Sequence, residues 1–166
     1  MTGKAPDRRD AAYRRDVAEG VDEPYRDLML ASFVNLANQG TLGELGLSLV
    51  IGGGWVTGQL IGARAWFEGL ARSLDDTGKA GDFGEVIRMM GAQVYPSASE
   101  REAAGDPTED TVLPAFLHLR DAHLVGTDGR SVPTRGGFVR VRLEEVAAWM
   151  LGRIGPAGYQ PPAPPV

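Results

Sequence analysis

Residues 47–61 of this chain read LSLVIGGGWVTGQLI, the strongest fold signal in the sequence. Alternating and β-branched residues lie on both sides of three consecutive glycines, a pattern typical of a β-hairpin with a tight turn. Glycine triplets also occur in phosphate-binding loops, but here no lysine follows and the next segment has the pattern of a strand rather than a helix. The stretch therefore predicts a hairpin with its turn at residues 52–54.

One helix is predicted before this hairpin in the sequence and another after it. Before it, apolar residues at positions 30, 33, 34 and 37 recur at the spacing of one helix face, which predicts a helix over Tyr25–Gln39 with Pro24 in its first turn. Gly40 is the expected end of that helix because it adopts the left-handed conformation without steric cost. After the hairpin, a helical stripe predicts a second helix over Gly62–Leu74.

The middle of the chain predicts a short helix and a long loop. Asp82 and Glu85 have the spacing of a capping box, and we expect the helix that follows to end at Gly91. Residues 92–113 contain two prolines and five acidic side chains and are expected to form an acidic loop. A calcium site is the less favoured interpretation because the EF-hand spacing and its central glycine are missing.

The last third of the chain returns to strands. Residues 116–125 form one apolar run, Gly126–Gly129 is a turn signal, and residues 138–143 alternate with valine and leucine on one face and arginine on the other. Residues 147–154 predict a last short strand or helix. The predicted fold is therefore α+β and β-rich, with about five antiparallel strands, an N-terminal helix and inserted helices.

This order of elements is similar to the layout of Sm-like or SH3-like small, partly open barrels, in which curling removes most exposed strand edges. The alternative is a two-layer α+β fold with the helices on one face of the sheet. Layout alone says little about function, since small barrels host many functions.

Composition limits the functional classes. The 166 residues suffice for one domain, and we expect a charged, disordered extension over residues 1–22, a globular domain over residues 23–154 and a mobile proline-rich tail over residues 155–166. The net charge of −5 argues against a sequence-independent nucleic-acid binder. With no cysteine, the chain cannot use disulfides, thiol catalysis or cysteine metal sites.

No residue pattern predicts catalysis, a cofactor site or a metal site. His118 and His123 are five positions apart, so on a regular strand they point to opposite faces and share a metal only if a bulge intervenes. We expect a surface or interface role for both. The hypothesis of a partner-binding surface has a different basis, namely a basic stripe with neighbouring aromatic residues: Arg135, Phe138, Arg140, Arg142 and Trp149.

Four blocks of the chain resemble the gas vesicle accessory protein GvpU family. They are FVNLAN at residues 33–38, residues 47–74, FLHLRDA at residues 116–122, and PTRGGF at residues 133–138, which leads to LEEV at residues 143–146 and LG at residues 151–152. Their order and spacing match over roughly residues 28–154. The charged extension before Pro24, the extra glycines and the proline tail depart from the family pattern.

The resemblance implies a cytoplasmic, non-enzymatic protein that associates with gas vesicles and modulates their assembly or clustering. Its implied partners are the vesicle shell, which a different, small hydrophobic protein builds, or other accessory proteins. Self-association is a further possibility, and neither nucleic acid nor a membrane is expected as a partner. Two other classes stay open: an RNA- or peptide-binding small barrel, which requires a basic or aromatic groove, and an enzyme or ligand-binding domain, which requires a deep polar pocket.

Overall fold

The computed structural model describes residues 27–76, 78, 82–105, 113–126 and 130–154. The predicted extension (1–22) and tail (155–166) lie outside these residues, so the division of the chain into three parts stays a prediction. The elements along the chain are α1 (Leu28–Asn38), β1 (Leu45–Ile51), β2 (Gly54–Ile61), α2 (Ala63–Asp75), α3 (Phe83–Val94), α4 (Ala98–Ala104), β3 (Phe116–Val125), β4 (Ser131–Arg142), a 3-10 turn (Leu143–Glu145) and β5 (Ala148–Leu151).

The five strands form one antiparallel sheet in the order β4-β3-β2-β1-β5. The predicted α+β class and the five antiparallel strands are thereby confirmed. The predicted hairpin is also confirmed, because β1 pairs with β2 from Leu45↔Leu60 to Ile51↔Gly54. Gly52 and Gly53 form its turn with φ values of 51° and 83°, which favour glycine. The sheet is not closed, since β4 and β5 are its two edge strands.

The connection between the edge strands forces the sheet to curl. In a flat sheet β4 and β5 are four strand spacings apart, about 19 Å. The register adds a second offset: Arg142 lies opposite Phe116 at the start of β3, whereas Ala148 lies in the row that ends at Val125. Residues 143–147 reach at most about 20 Å, far less than the roughly 35 Å that both offsets require in a flat sheet. The strands must therefore bend until the two edges approach each other.

A bulge between β2 and β3 contributes to this bending. The register shifts between Thr57 and Gln59 on β2, and Asp121 on the facing part of β3 has a φ of 47°. A side chain at Gly58 would place its Cβ 3.0 Å from the carbonyl oxygen of Arg120 and 3.1 Å from Ala122. Bulges bend a strand and increase its twist, so glycine at this position allows the two backbones to approach closely.

The main core lies between α1 and the face of the sheet that carries Leu119. Asp27 caps α1 by accepting hydrogen bonds from the backbone N–H groups of Met29 (2.9 Å) and Leu30 (3.0 Å). The helix therefore begins at Leu28 instead of Tyr25, and residues before Asp27 are outside the described range. The cluster consists of Leu30, Ala31, Val34, Ala37, Leu47, Leu49, Val56, Leu60, Leu117, Leu119, Ala122, Val141 and Leu143.

The opposite face of the sheet is covered by α2. Trp66 and Phe67 on α2 are 8% and 7% exposed and pack near His118, whose side chain points away from the α1 core. Helices thus lie on both faces of the sheet, which differs from the alternative layout with all helices on one face. Ser48 and Thr57 share the His118 face and are also buried, where they hydrogen-bond to the chain that follows β5.

The predictions for residues 82–113 were partly wrong. Helix α3 passes through Gly91 and ends at Val94, so Gly91 does not end it. Glycine is needed at this position for close packing, because an added Cβ would lie 2.5 Å from Phe67. Asp82 forms no side-chain capping bond, so the capping box is absent. Residues 98–104 form α4 within the expected loop, and residues 106–112 of that loop lie outside the described residues.

Helices α1 and α2 meet at a glycine. A Cβ at Gly62 would lie 2.6 Å from the carbonyl oxygen of Ala37. Gly62 is the N-cap of α2 and has no side chain to cap it, but the side chain of Asn38 accepts a hydrogen bond from the backbone N–H of Ala63 at 2.9 Å. Asn38 at the end of α1 thus supplies a hydrogen-bond acceptor for a free backbone N–H at the start of α2. This hydrogen bond fixes the two helices relative to each other.

We predict that Gly62→Ala destabilises the protein by about 1–3 kcal/mol, because the added methyl group meets backbone that cannot move without displacing a helix. Gly43→Ala is the matched control, since nothing lies within 4 Å of its added Cβ. Urea unfolding measures both changes. Equal stabilities of the two variants would show that the contact between α1 and α2 tolerates a side chain.

Candidate functional site

Two of the predicted partner-binding residues form an exposed clamp around one aromatic ring. The Arg140 guanidinium lies over the Phe116 ring at 3.7 Å from its centroid and donates a hydrogen bond to the Tyr95 hydroxyl at 3.3 Å. The Arg142 guanidinium lies 5.8 Å from the same centroid and pairs with Glu144 at 3.0 Å. We call Phe116, Arg140 and Arg142 the arginine clamp. Because both arginines are on the edge strand β4, this surface is open to a partner.

A shallow pocket borders the arginine clamp. It has a volume of about 250 Å³ and is lined by Ala115, Phe116, Arg142, Leu143 and Glu144. Its charged groups are an arginine and a glutamate that already pair with each other. The pocket is therefore suited to a protruding side chain of a partner rather than to acid–base chemistry.

Phe138, a third predicted contact residue, takes part in packing. Its ring stands edge-on to Trp66, with centroids 6.3 Å apart, and fills the space above Gly69, where an added Cβ would lie 2.6 Å from the ring. The side chain of Arg135, the fourth predicted residue, lies outside the described residues. A contact role for Phe138 and Arg135 stays a prediction.

Trp149, the fifth predicted residue, connects β5 to the start of α1. Its indole N–H donates a hydrogen bond to the Asp27 carboxylate at 2.5 Å, and its ring packs edge-on to Phe33 with centroids 5.8 Å apart. Burial raises the pKa of Asp27, but the hydrogen bonds from Trp149 and from the backbone of Leu30 and Met29 outweigh it and hold the pKa below its usual value. Asp27 thus caps α1 and holds the edge strand at once.

We predict that Trp149→Phe lowers the free energy of unfolding by about 1–2 kcal/mol, because the ring packing is kept while the charged acceptor on Asp27 loses its donor. Thermal unfolding at neutral pH measures the loss. In the Asp27→Asn background the same substitution is expected to cost less, because the acceptor is then uncharged. An equal loss in both backgrounds would contradict the role of this hydrogen bond.

His118 lies in a closed aromatic cluster instead of on the surface, so the expected surface role is wrong for this residue. It is 1% exposed, and the ring centroids of Trp66, Tyr95 and Phe67 lie 5.4, 5.7 and 6.4 Å from its own. Neither of its ring nitrogens has a hydrogen-bond partner among the described residues, and the same holds for Trp66 Nε1. Burial, with a contribution from Arg140, lowers the pKa of His118 to about 4.

The two histidines share one face of the sheet. His118 pairs with Ile61 and His123 with Thr57, so the bulge at Gly58 and Asp121 reverses the alternation expected of a regular strand. The two partners are four positions apart on β2, which places the histidines about 13 Å apart along the sheet. That distance is too large for a shared metal ion. Within the described residues, no group of His, Asp and Glu side chains has the proximity to hold a metal.

Two buried hydroxyl groups near His123, those of Ser48 and Thr57, hydrogen-bond to the backbone of the chain that follows β5. Ser48 and Thr57 hydrogen-bond to each other at 2.9 Å, and the Ser48 hydroxyl donates to the carbonyl of Gly152 at 2.9 Å. The backbone N–H of Ile154 donates to both hydroxyl oxygens, at 2.9 and 3.0 Å. These bonds fasten the chain after β5 across the sheet. A buried hydroxyl with all of its bonds used is a poor nucleophile, so the pair indicates a structural role.

We predict that His118 makes stability fall as the pH decreases from about 6.5 to about 4. In this range the unfolded chain protonates the histidine while the folded chain keeps it neutral, so protonation favours unfolding. The loss near pH 4 is on the order of 2–3 kcal/mol. Urea unfolding across this range measures it.

His118→Phe keeps an aromatic ring in the cluster and is expected to flatten this pH dependence, whereas His123→Asn keeps it. Carboxylates that titrate in the same range affect both variants alike, so the difference between the variants reports on His118. An unchanged pH dependence in His118→Phe would contradict the burial of a neutral histidine.

One exposed surface was not predicted from the sequence. The outward side of α3 carries five large apolar side chains that are 39–60% exposed, and we call this surface the α3 stripe. Its members are Phe83, Val86, Met89, Met90 and Val94. The helical spacing of these residues suggests a buried face, but glycines face α2 in their place. Gly84 and Gly91, seven residues apart, were the signal in the sequence for close packing on the other side.

The described residues define an α+β protein with a curved antiparallel sheet, helices on both faces and exposed apolar and cationic surfaces. A family model described as gas vesicle protein GvpU-like matches residues 27–154. The match covers most of the chain, so this chain belongs to the GvpU-like family and is a gas vesicle-related protein. No curated protein and no solved structure gives a significant match. Among the described helices, none has both the length and the hydrophobicity required to cross a membrane.

Proposed function

We propose that this protein is a non-enzymatic accessory protein that associates with gas vesicles and modulates their assembly or clustering through protein–protein contacts. The observation that carries the proposal is the family match over residues 27–154, which include every described element. The expected partners are the vesicle shell or other gas vesicle proteins. This role places the protein in the cytoplasm, on the vesicle surface.

The surface chemistry supports contacts with other proteins. The α3 stripe offers exposed apolar area, and the arginine clamp offers cations held in place by a ring. Tyrosine, phenylalanine and arginine are enriched at protein interfaces, and an arginine held by stacking loses less conformational freedom when it binds. The arginine clamp therefore suits an acidic patch on the partner.

The burial of His118 disfavours a catalytic role for this residue, and this supports a protein whose function is binding. A general base must reach the proton that it removes, and this imidazole lies behind three aromatic rings. The buried hydroxyl pair of Ser48 and Thr57 is likewise occupied by the backbone of residues 152–154. None of these groups is available to a substrate, so we assign the proposed function to the exposed surfaces.

The alternative function is that of a small barrel that binds a peptide or RNA. We infer that the curled sheet belongs to the Sm-like or SH3-like class of small barrels, because an N-terminal helix precedes five antiparallel strands and a 3-10 turn joins the last two. The edge strand β4 has backbone groups that an extended peptide can pair with. The net charge of −5 disfavours RNA, so a peptide is the favoured ligand of this alternative.

Co-flotation with isolated gas vesicles tests the proposal. The full chain is mixed with vesicles at 50–500 mM salt, a range of about one decade that separates charge contacts from apolar contacts. We expect the protein to rise with the vesicles, with weaker association at high salt because the arginine clamp contributes. Failure to rise at every salt concentration would rule out direct association with vesicles.

The double substitution Arg140→Gln and Arg142→Gln is predicted to reduce co-flotation at low salt by at least about threefold, since each exposed ion pair contributes up to about 1 kcal/mol. Arg72→Gln, an exposed arginine on α2, is the matched control and should bind as the unmodified chain does. If both variants bind equally well, the arginine clamp does not contact the vesicle.

A further inference from the structure

Helix α3 has two faces of opposite character. Its inward face is held against α2 by small residues: a Cβ at Gly91 would lie 2.5 Å from Phe67, and one at Gly84 would lie 3.2 Å from the carbonyl oxygen of Ala71. Arg88, next to this face, forms ion pairs with Asp75 and with Glu85. The helix is therefore fixed in rotation, and its other side must face away from α2.

That other side is the α3 stripe. Phe83, Val86, Met90 and Val94 follow the spacing i, i+3, i+7 and i+11, so they lie along one face of the helix. Their exposed fractions are 54%, 39%, 49% and 58%, and Met89 beside them is 60% exposed. Together they expose about 450 Å² of apolar surface, within the size of patch that often marks an interaction site. Exposure on this scale is costly in water unless something covers it.

We propose that the α3 stripe is a self-association surface, at which two copies of this chain pack their α3 helices antiparallel about a twofold axis. For its biological meaning the inference rests on the proposed function: a dimer has two vesicle-binding surfaces and joins two vesicles or two shell proteins. Bivalent attachment raises the effective affinity without any tight single site.

The remaining segments of the chain are a poor match for the α3 stripe. The segments outside the described residues contain no Phe, Leu, Ile or Trp, and their Met1, four valines and three tyrosines are scattered over residues 1–26, 106–112 and 155–166 instead of forming one apolar run. An apolar helix face requires an apolar partner of similar length, and another α3 stripe provides one of the same chemistry and about 18 Å long. A twofold contact is also the commonest arrangement of homo-oligomers, because one patch then serves both subunits.

The area that the two α3 stripes would bury indicates the affinity of the dimer. Two α3 stripes bury about 900 Å² in total, close to the lower limit of about 1,000 Å² for specific interfaces. We therefore expect a reversible dimer that depends on concentration. In an antiparallel pair the midpoint of each α3 lies next to the midpoint of its partner. Met90 is near the middle of the α3 stripe, so it approaches the Met90 of the second copy. The flexible methionine side chains can adapt to each other there.

Cysteine cross-linking tests the geometry directly, because the chain contains no cysteine. Met90→Cys places one thiol near the proposed axis, where two Cβ atoms come within the roughly 4 Å that a disulfide requires. Met29→Cys on α1 is the matched control, since Met29 is also a helical methionine and is 59% exposed. Under mild oxidation at micromolar protein we expect Met90→Cys to form disulfide dimers at least about tenfold faster than Met29→Cys. Equal rates would overturn the proposal.

Sedimentation tests the same interface without a cross-link. The unmodified full chain should shift from monomer to dimer mass between about 1 and 200 μM, the range expected of a weak interface. Met90→Glu should remain monomeric over this range, whereas Met29→Glu should dimerise as the unmodified chain does. Thermal unfolding of both variants verifies that they are folded. An unmodified chain that is monomeric throughout would overturn the proposal.

The two proposals fail separately. If both hold, Met90→Glu still rises with vesicles in the flotation assay but no longer clusters them under the microscope. If the chain dimerises and does not bind vesicles, the self-association surface stands and the proposed function falls. If the unmodified chain is monomeric and Met90→Glu loses co-flotation, the α3 stripe contacts the vesicle instead, and the self-association proposal is wrong.

Discussion

The connection from β4 to β5 is too short to cross a flat five-stranded sheet. Five residues join strands at opposite edges of the sheet, and both ends of the connection are tied down. The backbone N–H of Leu143 donates to the carbonyl of Ala115 at 3.0 Å, and that of Ala147 donates to the carbonyl of Val50 at 2.9 Å. A sheet held in this way has to curl, and curling encloses the leucines and valines of its inner face under α1.

The outer face of the curled sheet forms a second environment, part of which α2 covers. Here α2 buries Trp66 and Phe67 against the sheet, and polar residues of the same face are buried with them. Ser48 and Thr57 satisfy their hydroxyls through the chain that follows β5, whereas His118 keeps its neutral form among aromatic rings. Residues that resemble catalytic groups in the sequence are therefore part of the outer layer, whereas the α3 stripe and the arginine clamp are exposed.

Features that depend on neighbouring residues were predicted well. The hairpin at residues 45–61, the helix that follows it, and the strand at residues 116–125 are encoded by alternation, helical spacing and glycine turns within a few residues. The family resemblance was also evident from collinear blocks. Of the predicted contact residues, Arg140 and Arg142 lie on an open edge, whereas Trp149 and Phe138 pack within the fold.

Features that depend on distant residues were missed. The alternation rule placed His118 and His123 on opposite faces because one irregular position, Asp121, is not visible as such in a single sequence. Gly91 was predicted to end a helix, yet it lies within α3. Glycine is needed there because the helix packs against Phe67, which lies 24 residues earlier in the sequence. In both cases a local rule was overruled by a close approach between two elements.

Local periodicity and the order of sequence blocks were enough to predict the hairpin, most of the other helices and strands, and the family, although α4 was missed. The buried side of α3 and the burial of His118 became evident only from the packing of the elements. The physical reason is that an amphipathic pattern specifies an apolar face but not its partner. Two glycines let α2 take the opposite side of the helix, and the apolar stripe was left facing out.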